Sequence, residues 1–244
     1  MADCESAYEF AMEYPFRQPE RDCVWSRGDV IDLAAWQGPG LAGRKPVLAI
    51  GSNASPEQLD RKFTPAVLEE LGPNDGDIPI VRATAWGIDV VYGAYISSYW
   101  AIPATAVRAP PEASVEVWVT WFTRRQRDYM DGKEGRKTYP RRQVRRVEQR
   151  GEPVTGAQCY VLSRGAASLG GHLVGLSSVP SQGGPAPDRR DQRAVWGLLA
   201  DDLGWPSGAD LHREVKHNPV FLEGLLERLA REATDKWAPE RGRR

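Results

Sequence analysis

The chain has 244 residues, 41% of them hydrophobic, with nine tryptophans. That is enough to bury a core as one domain with extensions or as two small domains. Thirty-two basic residues stand against 33 acidic ones, a formal charge of −1, so nothing global points to nucleic acid or to a membrane surface.

The N-terminus, MADCESAYEFAMEYPF, carries acidic residues and has no continuous apolar run, unlike a secretory signal. No other stretch approaches the ~18 apolar residues of a membrane span. A soluble, cytoplasmic protein is expected. Cys4, Cys23 and Cys159 are an odd number without C-x-x-C spacing and read as reduced thiols.

Residues 1–45 form a mixed lead-in ending in GPGLAGRKP, and PVLAI then reads as a short buried strand bounded by Pro46 and Gly51. Ser55, Pro56 and Gln58 predict a capping box with proline at the first helical position. The order is therefore strand, Gly51-Ser52-Asn53 turn, helix. After GPNDGD come three β-type segments, VRATAWGIDVVYGAYI, YWAIPATAVRA and SVEVWVTWF. In the last, Val115, Val117, Val119 and Trp121 alternate with Glu116, Trp118 and Thr120, giving two differing faces.

Thr123 and Gln126 predict a second capping box opening a short helix that ends near Gly132 or Gly135. TYPRRQVRRV and GAQCYVLS read as further strands. Residues 166–188, rich in Gly, Ser and Pro, predict a long loop, a lid or partial disorder. Residues 189–244 read as a helical extension. In it Asn218-Pro219 starts a helix whose Leu222, Leu225, Leu226 and Leu229 form a packing stripe.

Few residues here could do chemistry. His212 and His217 are five apart and fall on different helix faces, so with His172 they do not make a metal set, and none is expected. Ser52 lies on a strand-to-helix turn, but G-x-S-x-G is absent, as is a P-loop lysine. The Gly51-Ser52-Asn53 turn can instead present backbone N–H groups to a carboxylate or developing oxyanion. The plainer reading is a tight turn, with an unusual backbone at Gly51 and an Asx-type bond from Asn53.

In YMDGKEG, Asp131 and Glu134 stand at the end of a helix, where a carboxylate can face a cavity or simply water. From Thr123 to Arg150, eleven Lys/Arg outnumber four Asp/Glu. That field favours ionised carboxylates, whereas a general base working near neutrality needs an apolar pocket. The surplus could hold an acidic substrate or form a solvated strand face, with Arg142 and Arg146 on one side and Arg145 on the other. No aromatic residue interleaves between Arg141 and Arg150, which argues against a nucleic-acid stripe.

A strand ending in A-x-G-S-N, a V-x-V-W-V strand, a short helix with D-x-x-E-G, and Y-x-R-x-x-V (Tyr139, Arg141, Val144) occur in this order. Over residues 46–165 the chain thereby resembles the γ-glutamyl cyclotransferase-like (AIG2-like) superfamily. The resemblance implies an α+β fold, a small mixed β-barrel with flanking helices and a helical C-terminal extension. It implies that Ile50, Gly51, Ser52, Asn53 and Tyr139 bind a small γ-glutamyl substrate, that Glu134 is the general acid/base, and that no cofactor is needed. Two departures stand out. The family usually has Tyr where this chain has Ile50, and neither residues 1–45 nor the helical C-terminal third has a counterpart.

A-L-G-S-N also opens pterin pyrophosphokinases, but their Arg/Asp-rich magnesium pattern is missing here. The implied reaction is intramolecular aminolysis giving 5-oxoproline and an amine. The rival expectation is a non-catalytic small-molecule binding or interaction protein on the same fold. The oligomeric state is left open.

Overall fold

The computed structural model describes residues 2–234 and Trp237. The side chains of residues 2–5, Cys4 among them, and residues 235, 236 and 238–244 of the expected C-terminal extension lie outside the described residues. Among the described residues the fold is α+β, with seven α-helices, a ten-stranded sheet and a four-stranded sheet.

At the centre of the large sheet, the Lys45–Ala49 strand pairs antiparallel with Ser114–Phe122 and parallel with Gln158–Tyr160. Asp77–Trp86 pairs on the far side of Ser114–Phe122, and Arg141–Gln143 closes the other edge against Gln158–Tyr160. Alternation explains why both faces of this sheet are covered. Val47 and Ala49 pack with Leu59, Phe63, Phe122 and Met130 on one face. Leu48, Ile50, Val117 and Val119 pack on the other.

The implied closed barrel is not what forms among the described residues. Strand Ile88–Tyr92 leaves the large sheet after Gly87, at φ +71°, and pairs instead with Ala104–Arg108 and Gly175–Leu176 in the small sheet. With the strands divided between two sheets, none is left to seal the large one.

The Gly-, Ser- and Pro-rich segment is also more ordered than its composition predicts. Ala166, Ala167, Leu169, Val174, Leu176, Val179 and Ala186 are buried. The buried Asp89 carboxylate accepts from Arg189 at 3.0 Å and from the Ala186 N–H at 3.2 Å. Apolar side chains and one charged clasp fix a stretch whose glycines would otherwise leave it loose.

Helices Gln192–Leu203, Gly208–His217 and Pro219–Glu232 follow. Leu225 and Leu229 are buried, with Leu222 and Leu226 packed beside them, so the leucine stripe is core. Ala11, Tyr14 and Phe16 from the lead-in join the same core as Val195, Trp196 and Leu211. No helix among the described residues is long and apolar enough to cross a membrane.

Candidate active site

The helix carrying Glu134 runs from Arg124 to Glu134 and is fixed at both ends. At its start the predicted capping box forms. Gln126 N–H donates to Thr123 Oγ1 at 3.1 Å and Thr123 N–H donates to Gln126 Oε1 at 2.7 Å. Gln126 Nε2 then spans to the carbonyls of Asp75 and Asp77, at 2.9 and 3.1 Å. Near its end, the buried Asp131 receives a two-pronged bond from Arg141, Nε at 2.6 Å and Nη2 at 2.9 Å, with a third from Tyr160 Oη at 2.8 Å. Fork-to-fork pairing of this kind fixes direction as well as distance. Gly135, at φ +72°, ends the helix, leaving Glu134 in the last turn.

The Gly51-Ser52-Asn53 turn faces it from the end of the Lys45–Ala49 strand. Ser52–Ala54 form a single 3-10 turn, and Ser55 N–H closes onto the Ser52 carbonyl at 3.1 Å. That bond explains why the capping box expected at Ser55 is absent. The N–H that Gln58 would cover is already used, and Ser55 Oγ and Gln58 Nε2 are buried without partners. Half of the tight-turn reading is seen. Gly51 has an unusual backbone, φ −142° with ψ −131°, though not a left-handed one, whereas the Asn53 side chain bonds Glu134 and Lys62 and not its own turn.

Asn53 Nδ2 donates to Glu134 Oε1 at 3.2 Å. Lys62, the last residue of helix Pro56–Lys62, donates to the same Oε1 at 2.8 Å and also to Asn53 Oδ1. Tyr129 Oη donates to the Lys62 carbonyl at 2.6 Å, tying that helix end to the Glu134 helix. The three side chains border a cavity of about 390 Å³. Its walls include Ile50, Gly51, Ser52, Tyr14, Tyr99, Tyr139 and Tyr160.

These tyrosines are kept protonated. Burial pushes the hydroxyls of Tyr14 and Tyr139 well above the ordinary phenol value, and neighbouring phenols and Glu134 add to it. Tyr99 rises for the same first reason, opposed by the Lys62 charge and a bond to Ser52. Tyr14 Oη accepts from the Ala104 N–H at 2.7 Å, which leaves its proton available. It sits so close to the turn that a Cβ on Gly51 would come 2.2 Å from it. Ser52 Oγ and Tyr99 Oη lie 3.2 Å apart. The cavity thus offers an acid/base candidate, neutral hydroxyl donors, one ammonium already paired, and a second lysine, Lys133, on its wall.

Among solved structures, a gamma-glutamyl cyclotransferase matches at 14% identity, covering 80% of this chain and 92% of that chain, with a TM-score of 0.39. An uncharacterized protein from Homo sapiens matches at 16% identity and TM-score 0.39, covering 82% of this chain and 95% of that one. No protein-family model and no curated protein matches the chain.

Ile50, Gly51, Ser52, Asn53, Glu134 and Tyr139 all border the one cavity. Sequence reasoning missed Lys62, Tyr14 and Tyr99. Lys62 shares a helix face with Ser55, two turns on, but its reach back to Asn53 is a tertiary contact that spacing alone does not give. Tyr14 lies in the lead-in, and nothing local announces that it reaches Gly51. The basic surplus is divided. Arg141 braces Asp131 behind the cavity, while Arg142, Arg145 and Arg146 line a separate cavity.

Proposed function

We propose that the protein cyclises a γ-glutamyl compound to 5-oxoproline, releasing an amine or amino acid, with Glu134 as general acid/base. The observation that carries this reading is the meeting of Asn53, Lys62 and Glu134 at the cavity beside Gly51 and Ser52. The substrate's α-amine lies one five-membered ring from its own γ-carbonyl, so attack is already unimolecular and needs chiefly orientation and proton transfer. The α-nitrogen bonds to the γ-carbon, and the bond from that carbon to the leaving nitrogen breaks. Two protons leave the α-ammonium and two arrive on the departing amine, so Glu134 cycles without net proton change.

Backbone N–H groups of Gly51–Asn53 and the free proton of Tyr14 are the donors for the tetrahedral oxyanion. A donor of this kind is worth ~2.7–4 kcal/mol in the transition state. Tyr14, arriving from the lead-in, supplies a hydroxyl beside the turn despite Ile50. Lys62 binds the substrate's α-carboxylate, and in doing so exchanges its partner and frees Glu134.

The second reading is a non-catalytic pocket, and one observation favours it. In the free protein Glu134 Oε1 is already taken by two donors. The experiment is 5-oxoproline release from a panel of γ-glutamyl amines and dipeptides by wild type and Glu134→Gln. Release by wild type alone supports the enzyme. Release by both removes Glu134 from the proton work. No release by either folded protein favours the binding module.

A further inference from the structure

Arg141 and Arg142 are neighbours on one strand, so their side chains leave on opposite faces. Arg141 turns to Asp131, whereas Arg142 turns to a cavity of about 580 Å³ that shares no lining residue with the one at Glu134. Two tryptophans and four arginines face it: Trp86, Trp237, Arg108, Arg142, Arg145 and Arg146. Trp86 and Arg146 are paired in register across adjacent strands, and the Arg146 guanidinium lies 4.1 Å over the Trp86 ring. Arg108 lies 5.1 Å over Trp237.

None of the described lining residues is acidic. Glu148, outside the cavity lining, accepts from Arg146 Nε and Nη2, each at 3.1 Å. Arg142 Nε is buried and has no partner. An unpaired guanidinium N–H in such a place costs free energy, which a shift of the Arg142 side chain toward an anion in the cavity would recover. A guanidinium carries its N–H edges in the fork geometry that suits phosphate oxygens. The remaining wall is apolar, from Ile88, Val144 and Pro111, and the volume is that of a small-molecule site.

We propose that this second cavity binds a planar-ring organic anion of the nucleoside phosphate class. The phosphate lies on Arg142 and on Arg146, taking the place of Glu148 there, and the ring lies against the side of Trp86 that Arg146 does not cover. The inference rests on those three residues and is independent of any chemistry at Glu134.

The test uses the full chain and titrates ATP, pyrophosphate and adenosine by calorimetry at low and moderate salt. Saturable ATP binding is expected, weakened by salt and by at least about tenfold in Arg142→Gln. Trp86→Ala should weaken it similarly, and Trp86→Phe should restore most of it. Thermal melts check that each variant folds, with Arg146→Gln as a second route to the same loss. The proposal is overturned by no saturable binding at millimolar ATP, by ATP binding indifferent to Arg142 and Trp86, or by equal affinity for pyrophosphate and ATP. Adenosine binding as tightly as ATP would likewise overturn the role given to the arginines.

Discussion

Lys62 Nζ and Glu134 Oε1 lie 2.8 Å apart, 72 residues apart in sequence, with both side chains largely withdrawn from water. The pair does two jobs at once, because the same ammonium also orients the Asn53 carboxamide. Lys62→Met should therefore disturb the site more than the fold. One charge-assisted hydrogen bond is worth about 1.5–3 kcal/mol, and partial exposure places the loss at the low end. Under the proposed chemistry, KM for γ-glutamyl substrates rises because their carboxylate loses its partner. Steady-state kinetics beside a thermal melt checks this. A KM unchanged from wild type would remove Lys62 from substrate binding.

Glu134→Gln keeps the shape of the site and the Asn53 contact but cannot shuttle protons. A fall of about 10²–10⁴-fold in 5-oxoproline release is expected, with a melting temperature close to that of wild type. Loss of activity together with loss of fold would leave Glu134 a structural residue.

Arg141→Met should be among the most damaging single changes near the site. It strands Asp131, buried and, among the described residues, otherwise bonded by Tyr160. Removing one partner of a buried ion pair costs about 3–5 kcal/mol. Asp131→Asn combined with Arg141→Met should cost less than the sum of the singles, because no charge is left unmatched. Urea denaturation of the four proteins measures the coupling. Additive costs would mean that the two side chains do not support one another.

Gly51→Ala places a methyl 2.2 Å from the Tyr14 hydroxyl and 3.2 Å from its Cζ. Overpacking of this kind costs about 1–3 kcal/mol. Tyr14→Phe removes the oxygen and leaves the carbon, so the double variant should regain part of that stability. If it does not, Tyr14 is not what requires glycine at this position.

His212 gives the protein an acid-sensitive core. Buried against Trp196 and Tyr8, it has its imidazolium disfavoured first by burial and then by Lys216, pushed down to about 4. The unfolded chain, near 6.5, binds the proton more readily. Stability from this group is therefore complete above pH ~6.5 and lost as pH falls toward 4, by up to ~3 kcal/mol. His212→Gln should flatten urea midpoints between pH 7 and 4.5. An equal acid loss in the variant would assign it to other groups.

The strands and the Glu134 helix were legible because each is written in local chemistry: alternation over 114–122, and Thr123 with Gln126 at a helix start. The cavity's first members were legible through motif order. What could not be read was long-range. Nothing near Tyr14 tells that its hydroxyl reaches Gly51, and nothing near Arg142 tells that tryptophans at 86 and 237 will face it. The aromatic residues missing between Arg141 and Arg150 come from other parts of the chain. Segment 166–188 is the long loop its glycines and prolines announce, but they report on backbone freedom, while its alanines, valines and leucines decide its burial.

The parallel pairing of Lys45–Ala49 with Gln158–Tyr160 has a bearing on synthesis. Until residue 160 has left the ribosome, the strand leading into the Gly51 turn has an unpaired edge, with Val47 and Leu48 upon it. Closing a loop of this length is entropically slow, so the nascent chain passes through a stage with a sticky edge. A fragment ending at residue 150 would stop at that stage, and should be recovered as aggregate where the full chain is recovered folded.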